Sequence, residues 1–197
     1  MNNNVVTINP ANEEILSEYQ NMTNDEVTKI VNKSRDVFRE WKRDIRKRSI
    51  ILLRLAEQLR KDKERLANIA SQEMGKPIKE SRSEIEKCAW AVEFYSYNGD
   101  LLLNNESLNS DANKTMITFQ PLGVIASIMP WNFPYWQALR FAAPSLMAGN
   151  AIVLKPASAT MQCGIEIEKS ILKSGAPDGL FNTVIGNSKI AETLIDS

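Results

Sequence analysis

The run from Val124 to Met129 constrains the fold most: it is apolar apart from one serine, and it is bounded by the turn Pro121-Leu122-Gly123 before it and by Pro130 after it. A short run of this kind, without polar alternation, predicts a strand buried on both faces, the situation of a parallel sheet covered by helices. The residues that follow repeat the pattern. A helix is predicted over Pro134 to Ala148 and closed by Gly149-Asn150, with a second buried strand over Ala151 to Leu154 and a helix over Met161 to Ser174. After the loop Gly175 to Gly179, a third strand is expected over Leu180 to Ile185 and a short helix over Lys189 to Ile195. Strands alternating with helices at this spacing imply right-handed βαβ construction. Thr115 to Gln120 is a further strand candidate ahead of the series.

The first hundred residues read differently. Val5 to Ile8 and Glu14 to Tyr19 flank Asn9-Pro10-Ala11-Asn12, a small hairpin. Thr23 and Glu26 fit a capping box, after which Val27, Ile30, Val31, Phe38 and Trp41 recur at helical spacing. Leu52, Leu55, Ala56 and Leu59 mark a second helix, a pattern that Leu66, Ile69, Ala70 and Met74 continue until Gly75-Lys76-Pro77 stops it. Ile85, Cys88, Ala89, Val92 and Tyr95 form a third stripe, which Asn98-Gly99 is expected to end. From Asn98 to Lys114 the chain turns polar, as a connection or an exposed β arm. The expected fold class is α/β, with a helical region with hairpin and polar connection over 1–114 and a partial Rossmann-like region over 115–197.

Composition removes several functions. The 24 basic and 24 acidic side chains leave no net charge, and the basic run Lys42-Arg43 with Arg46-Lys47-Arg48 has no interleaved aromatics, so it reads as a solvated helix face and not a nucleic-acid site. The chain has no histidine, which rules out Ser-His catalysis and every metal motif that pairs His with Cys or Glu. No metal site is expected. Cys88 and Cys163 have no paired spacing, and the start Met1-Asn2-Asn3-Asn4 is polar, with no signal-like or membrane-spanning stretch. The expectation is a cytoplasmic protein without membrane partners.

In an open parallel sheet, ligands gather at the carboxyl ends of the strands. Two segments are expected there. In Met129 to Pro134, backbone amides at the start of the next helix are expected to point outward, and the Asn132 amide is a donor of the type that stabilises a developing oxyanion. In Lys155-Pro156-Ala157-Ser158, an ammonium and a hydroxyl suit the ribose or phosphate of a nucleotide. On chemistry alone, packing with turn chemistry and an exposed charge before a bend explain the same residues. Neither GxGxxG nor GxxxxGK[ST] is present.

Taken jointly, Pro130-Trp131-Asn132-Phe133-Pro134, Pro144, Ala148-Gly149-Asn150 and Val153 to Ser158 resemble the corresponding run of the aldehyde dehydrogenases. Gly75-Lys76-Pro77 and the segment Gly175 to Gly186 fit the same family, so the resemblance spans nearly the whole chain. It implies that Asn132 is the side-chain half of an oxyanion hole, and that Trp131, Lys155 and Ser158 bind NAD or NADP. Many NAD-preferring members carry Glu where Ser158 stands, so serine admits NADP. The branch acting on succinate semialdehyde is similar at Arg140, where the resemblance implies a reader of the substrate's distal carboxylate, with Gln137 beside it; the other reading is a surface arginine. The family's nucleophilic cysteine, general-base glutamate and glycine-rich turn find no match in this chain. Cys88 lies on an apolar stripe, and Cys163, although near a helix start that could lower its pKa, occupies a position that is structural in the family. The chain is therefore expected to be an incomplete N-terminal part, inactive alone, that self-associates or pairs with a complementary chain. The competing expectation is a non-catalytic subunit or oligomerising fragment derived from that family.

Overall fold

The computed structural model describes residues 4–196; the start of the polar N-terminal stretch, residues 1–3, and residue 197 lie outside the described residues. β1 (Asn4–Ile8) and β2 (Ile15–Gln20) form the expected antiparallel hairpin. α1 (Asn24–Trp41) begins with the reciprocal cap read from sequence: Glu26 N–H donates to Thr23 Oγ1 at 3.3 Å, and Thr23 N–H donates to the Glu26 carboxylate at 2.7 Å. The stripe from Leu52 to Met74 is divided at Asp62 into α2 (Ile45–Lys61) and α3 (Lys63–Met74), the second ending on Gly75 in the left-handed conformation. α4 (Ile78–Leu102) does not stop at Asn98-Gly99 as expected. Gly99 is buried against α5 (Pro134–Met147), where an added Cβ would fall on the Met147 side chain, so this glycine serves close helix packing and not termination.

β3 (Glu106–Leu108) and β4 (Thr115–Ile117) make a separate two-stranded antiparallel arm. The strand expected from Thr115 to Gln120 is thus shorter and belongs to the arm. β5 (Val124–Ile128), β6 (Ala151–Lys155) and β7 (Phe181–Thr183) form a parallel sheet in that order, with Val124 opposite Ala151 and Ile128 opposite Lys155. A 3-10 turn (Ser158–Thr160) leads into α6 (Met161–Lys173), and α7 (Ser188–Asp196) closes the series. β6 is buried along its whole length, as expected of a central strand. β5 corrects the reading of its apolar run: it is the sheet edge, where only Ser127 is buried and Ile128 remains 47% exposed.

Helices cover both faces of the sheet. One core joins Leu52, Leu55 and Leu59 of α2, Leu66 of α3 and Ile85 of α4 to Tyr135 and Leu139 of α5 and to Ile152 and Leu154 of β6. On the other face Val27 and Val31 of α1 meet Val153, Val184 and, from α7, Ile190 and Leu194. The N-terminal helices therefore share their core with the sheet, and the Trp41 indole N–H ties α1 to the Leu146 carbonyl of α5 at 3.0 Å. The basic run after α1 is exposed, with one exception. Arg48 is buried and donates to the carbonyls of Trp41 and Lys42 at 3.3 and 2.8 Å, where it satisfies the end of α1 instead of facing solvent.

Candidate functional site

The loop from Met129 to Phe133 leaves the carboxyl end of β5, and the Met129 N–H donates to the Lys155 carbonyl at 3.1 Å, which holds the start of the loop beside the end of β6. Asn132 and Phe133 are exposed at the mouth of a cleft of about 690 Å³, whose walls come from the start of α5 (Trp136, Gln137) and from α4 (Ser83, Lys87). The outward-pointing amides expected at the head of α5 are not free. Pro134 contributes no N–H, and the N–H groups of Tyr135 and Trp136 both donate to Glu84 Oε1, at 2.9 and 2.8 Å. Glu84 is buried and is itself held by the buried Lys76 ammonium, which stands 4.7 Å from the centre of the Phe133 ring. The Lys76–Glu84 pair therefore holds the residue next to Asn132 and caps the head of α5, and the Asn132 side chain remains exposed beside it.

At the end of β6, Lys155 is only 7% exposed. Burial alone depresses its pKa, and among the described residues no carboxylate lies against it. Ser158, half-buried, opens the 3-10 turn three residues on. The head of α6 repeats the device seen at α5: the N–H groups of Gln162 and Cys163 each donate to one oxygen of the buried Glu73 carboxylate at 2.9 Å. Burial pushes the Glu73 carboxyl up against those hydrogen bonds. Cys163 is fully buried, and burial together with the Glu73 charge raises its thiol well above the ordinary value. The helix start therefore does not activate this cysteine. Cys88 is raised in the same way by burial and then by Glu84. Both thiols lie fully buried, away from the cleft lining.

Two donor-bearing segments at neighbouring strand ends, over a doubly covered parallel sheet, match the frame the sequence resemblance implied. The family model described as "Aldehyde dehydrogenase family" matches residues 1–197. The chain belongs to the aldehyde dehydrogenase family. It is 35% identical over 192 residues to a probable NADP(+) succinate-semialdehyde dehydrogenase of Synechocystis sp., covering 97% of this chain and 42% of that relative. Succinate-semialdehyde dehydrogenase [NADP(+)] 1 of Mycobacterium tuberculosis is 35% identical over 195 residues, at 97% and 43% coverage. Among solved structures, succinic semialdehyde dehydrogenase of Streptococcus pyogenes with NADP(+) superposes with a TM-score of 0.94 at 29% identity, covering 98% of this chain and 43% of that one. This aldehyde dehydrogenase chain thus spans about two-fifths of the length of the relatives it matches, and corresponds to their N-terminal, Rossmann-like part.

Within that frame the expected site residues fall into three groups. Asn132 and Gln137 share the larger cleft. Arg140 is exposed one turn beyond Trp136 and lines a neighbouring apolar cleft of about 320 Å³ with Trp90, Phe94, Tyr95 and Trp136. Lys155 and Ser158 stand at the next strand end, and Trp131 is 56% exposed on the loop that leaves β5, next to Asn132. Sequence reasoning missed Lys76, Glu84 and Glu73. A signal was present: Glu84 falls on the stripe Ser81, Ile85 and Cys88, and Glu73 on that of Leu66 and Ala70, and a carboxylate on a buried stripe requires a partner. Among the described residues no helix is long and apolar enough to cross a membrane, and no group of three His, Cys, Asp or Glu could hold a metal ion.

Proposed function

We propose that this chain is the dinucleotide-binding part of a cytoplasmic NAD(P)-dependent dehydrogenase that oxidises a carboxylated aldehyde, succinate semialdehyde, to the carboxylate. The observation that carries the reading is the placement of an unpaired buried ammonium, Lys155, and an exposed amide, Asn132, at the ends of adjacent parallel strands. The donor set fits a dinucleotide. Lys155 and Ser158 would hold the adenosine ribose with Trp131 alongside; an ammonium without a carboxylate neighbour accepts a 2′-phosphate, and this favours NADP, the cofactor named for the relatives above. The bound dinucleotide supplies the hydride acceptor.

Every other part assigned to this chain is binding and positioning. Asn132 Nδ2 donates to the aldehyde oxygen as it takes negative charge, held in place by Phe133 and by the capped head of α5. Arg140 and Gln137 orient the substrate through its distal carboxylate and polar atoms. The thiolate that attacks the carbonyl carbon comes from neither cysteine of this chain, because both thiols are buried with raised pKa values, and no residue here is assigned as the base that activates water. The chain alone is therefore inactive in this account. Mixing it with the C-terminal part of a relative that carries the cysteine and glutamate is expected to restore NADPH formation from succinate semialdehyde, and Asn132→Ala to lower that rate by about 10²–10³. Turnover by the chain alone, or undiminished turnover with Asn132→Ala, would contradict the assignment.

A second reading, an oligomerising or non-catalytic subunit, draws on one observation: β5 is an open sheet edge, beside which Leu122 is 89% exposed. Self-association or a complementary chain on that edge is compatible with either reading.

A further inference from the structure

We infer that Lys87 is a specificity-determining residue that reads the distal carboxylate of the substrate, an assignment that rests on the proposed semialdehyde reading. Lys87 lines the same cleft as Asn132, whereas Arg140 lines the neighbouring one. Its ammonium stands 4.1 Å from the centre of the Trp136 ring, and no carboxylate among the described residues pairs with it. The stack on the indole holds the cation within the cleft, and no carboxylate among the described residues takes its N–H donors, a geometry that suits an anion.

The charges around the cleft agree. Glu84 faces the cleft but is neutralised by Lys76 and spends Oε1 on two amides; the lining also carries Lys79, Glu80 and Lys87, so the cleft keeps a net positive charge. Reach separates the two cations. Trp136, under the Lys87 ammonium, lies in the first turn of α5, next to the loop that carries Asn132, and Arg140 lies one turn further on, about 6 Å along the helix. The backbone of a four-carbon semialdehyde is only about 4 Å from end to end. A substrate whose aldehyde oxygen meets Asn132 thus brings a four-carbon carboxylate to the Lys87 side of Trp136, and Arg140 must lean back over that turn to share it.

The full chain tests this directly by titration with succinate, read from the indole N–H signals of the four tryptophans, with Trp136 assigned through Trp136→Phe. The buried Trp41 indole signal, bonded to Leu146, reports an intact fold in each variant. Succinate is expected to shift the Trp136 signal, and Lys87→Met to weaken that binding about fivefold, the upper range for a solvent-reachable ion pair, while leaving the response to uncharged butyramide unchanged. Unaltered succinate binding by Lys87→Met, with loss in Arg140→Met, would overturn the role of Lys87 and keep the semialdehyde reading. A wild-type Trp136 signal that responds to butyramide but not to succinate would overturn both.

Discussion

Glu166 shows how one side chain links the helical region to the sheet. It is 4% exposed on α6 and accepts hydrogen bonds from Arg65, Lys169 and Gln162. Burial raises its carboxyl, but the hydrogen bonds of Lys169 and Arg65 outweigh burial and hold it below the usual carboxylate range. Because the folded value lies below the unfolded one, its contribution is complete above the unfolded value near ~4.3 and is lost as pH falls through the lower folded value. Urea unfolding from neutral to acid pH is therefore expected to show a shallower acid-side loss of stability for Glu166→Gln than for the wild type; parallel curves would remove Glu166 from the account. At this scale the sequence singles out residues by their own chemistry, as with Asn132 and Lys155, which the fold sets on the carboxyl side of the sheet. It was silent where the partner is distant: Glu84 caps amides 51 and 52 residues away, and Glu73 caps amides 89 and 90 residues away. Spacing along a chain does not encode such meetings.

Helices were legible as elements because their apolar stripes are local. Where two elements touch, the sequence told less. Gly99 looked like a stop and is a contact with Met147, and the apolar run of β5 looked central although the strand is an edge. A strand's burial depends on which neighbours lie beside it, and its own residues do not state that. Gly164 on α6 is a second such contact. An added Cβ there would meet Pro156 Cγ at 2.6 Å and Cβ at 2.9 Å, and Pro156 immediately follows Lys155. The proline ring cannot turn aside as a flexible side chain could. Gly164→Ala is expected to destabilise the chain by about 1–3 kcal/mol, measured by chemical denaturation, through separation of α6 from the end of β6. A neutral result would mean that α6 shifts without cost.

At the scale of the whole molecule, the fold places a three-stranded parallel sheet between α1 and α7 on one face and α5 and α6 on the other, with α2 to α4 packed behind the second layer. The fold class was readable from the alternation after Val124. The sharing of a single core between the N-terminal helices and that sheet was not, since it depends on contacts such as Trp41 with Leu146. This arrangement supports the carboxyl edge from behind and leaves Lys155, Ser158 and Asn132 at the open end of the strands. This edge is the proposed dinucleotide site, with Ser158 admitting the 2′-phosphate. Calorimetric titration of the chain with NADP(+) and NAD(+) tests it most directly: NADP(+) is expected to bind more tightly, Lys155→Met to weaken both, and Ser158→Glu to reverse the preference. Binding of neither dinucleotide, or an NADP(+) affinity indifferent to both substitutions, would contradict it.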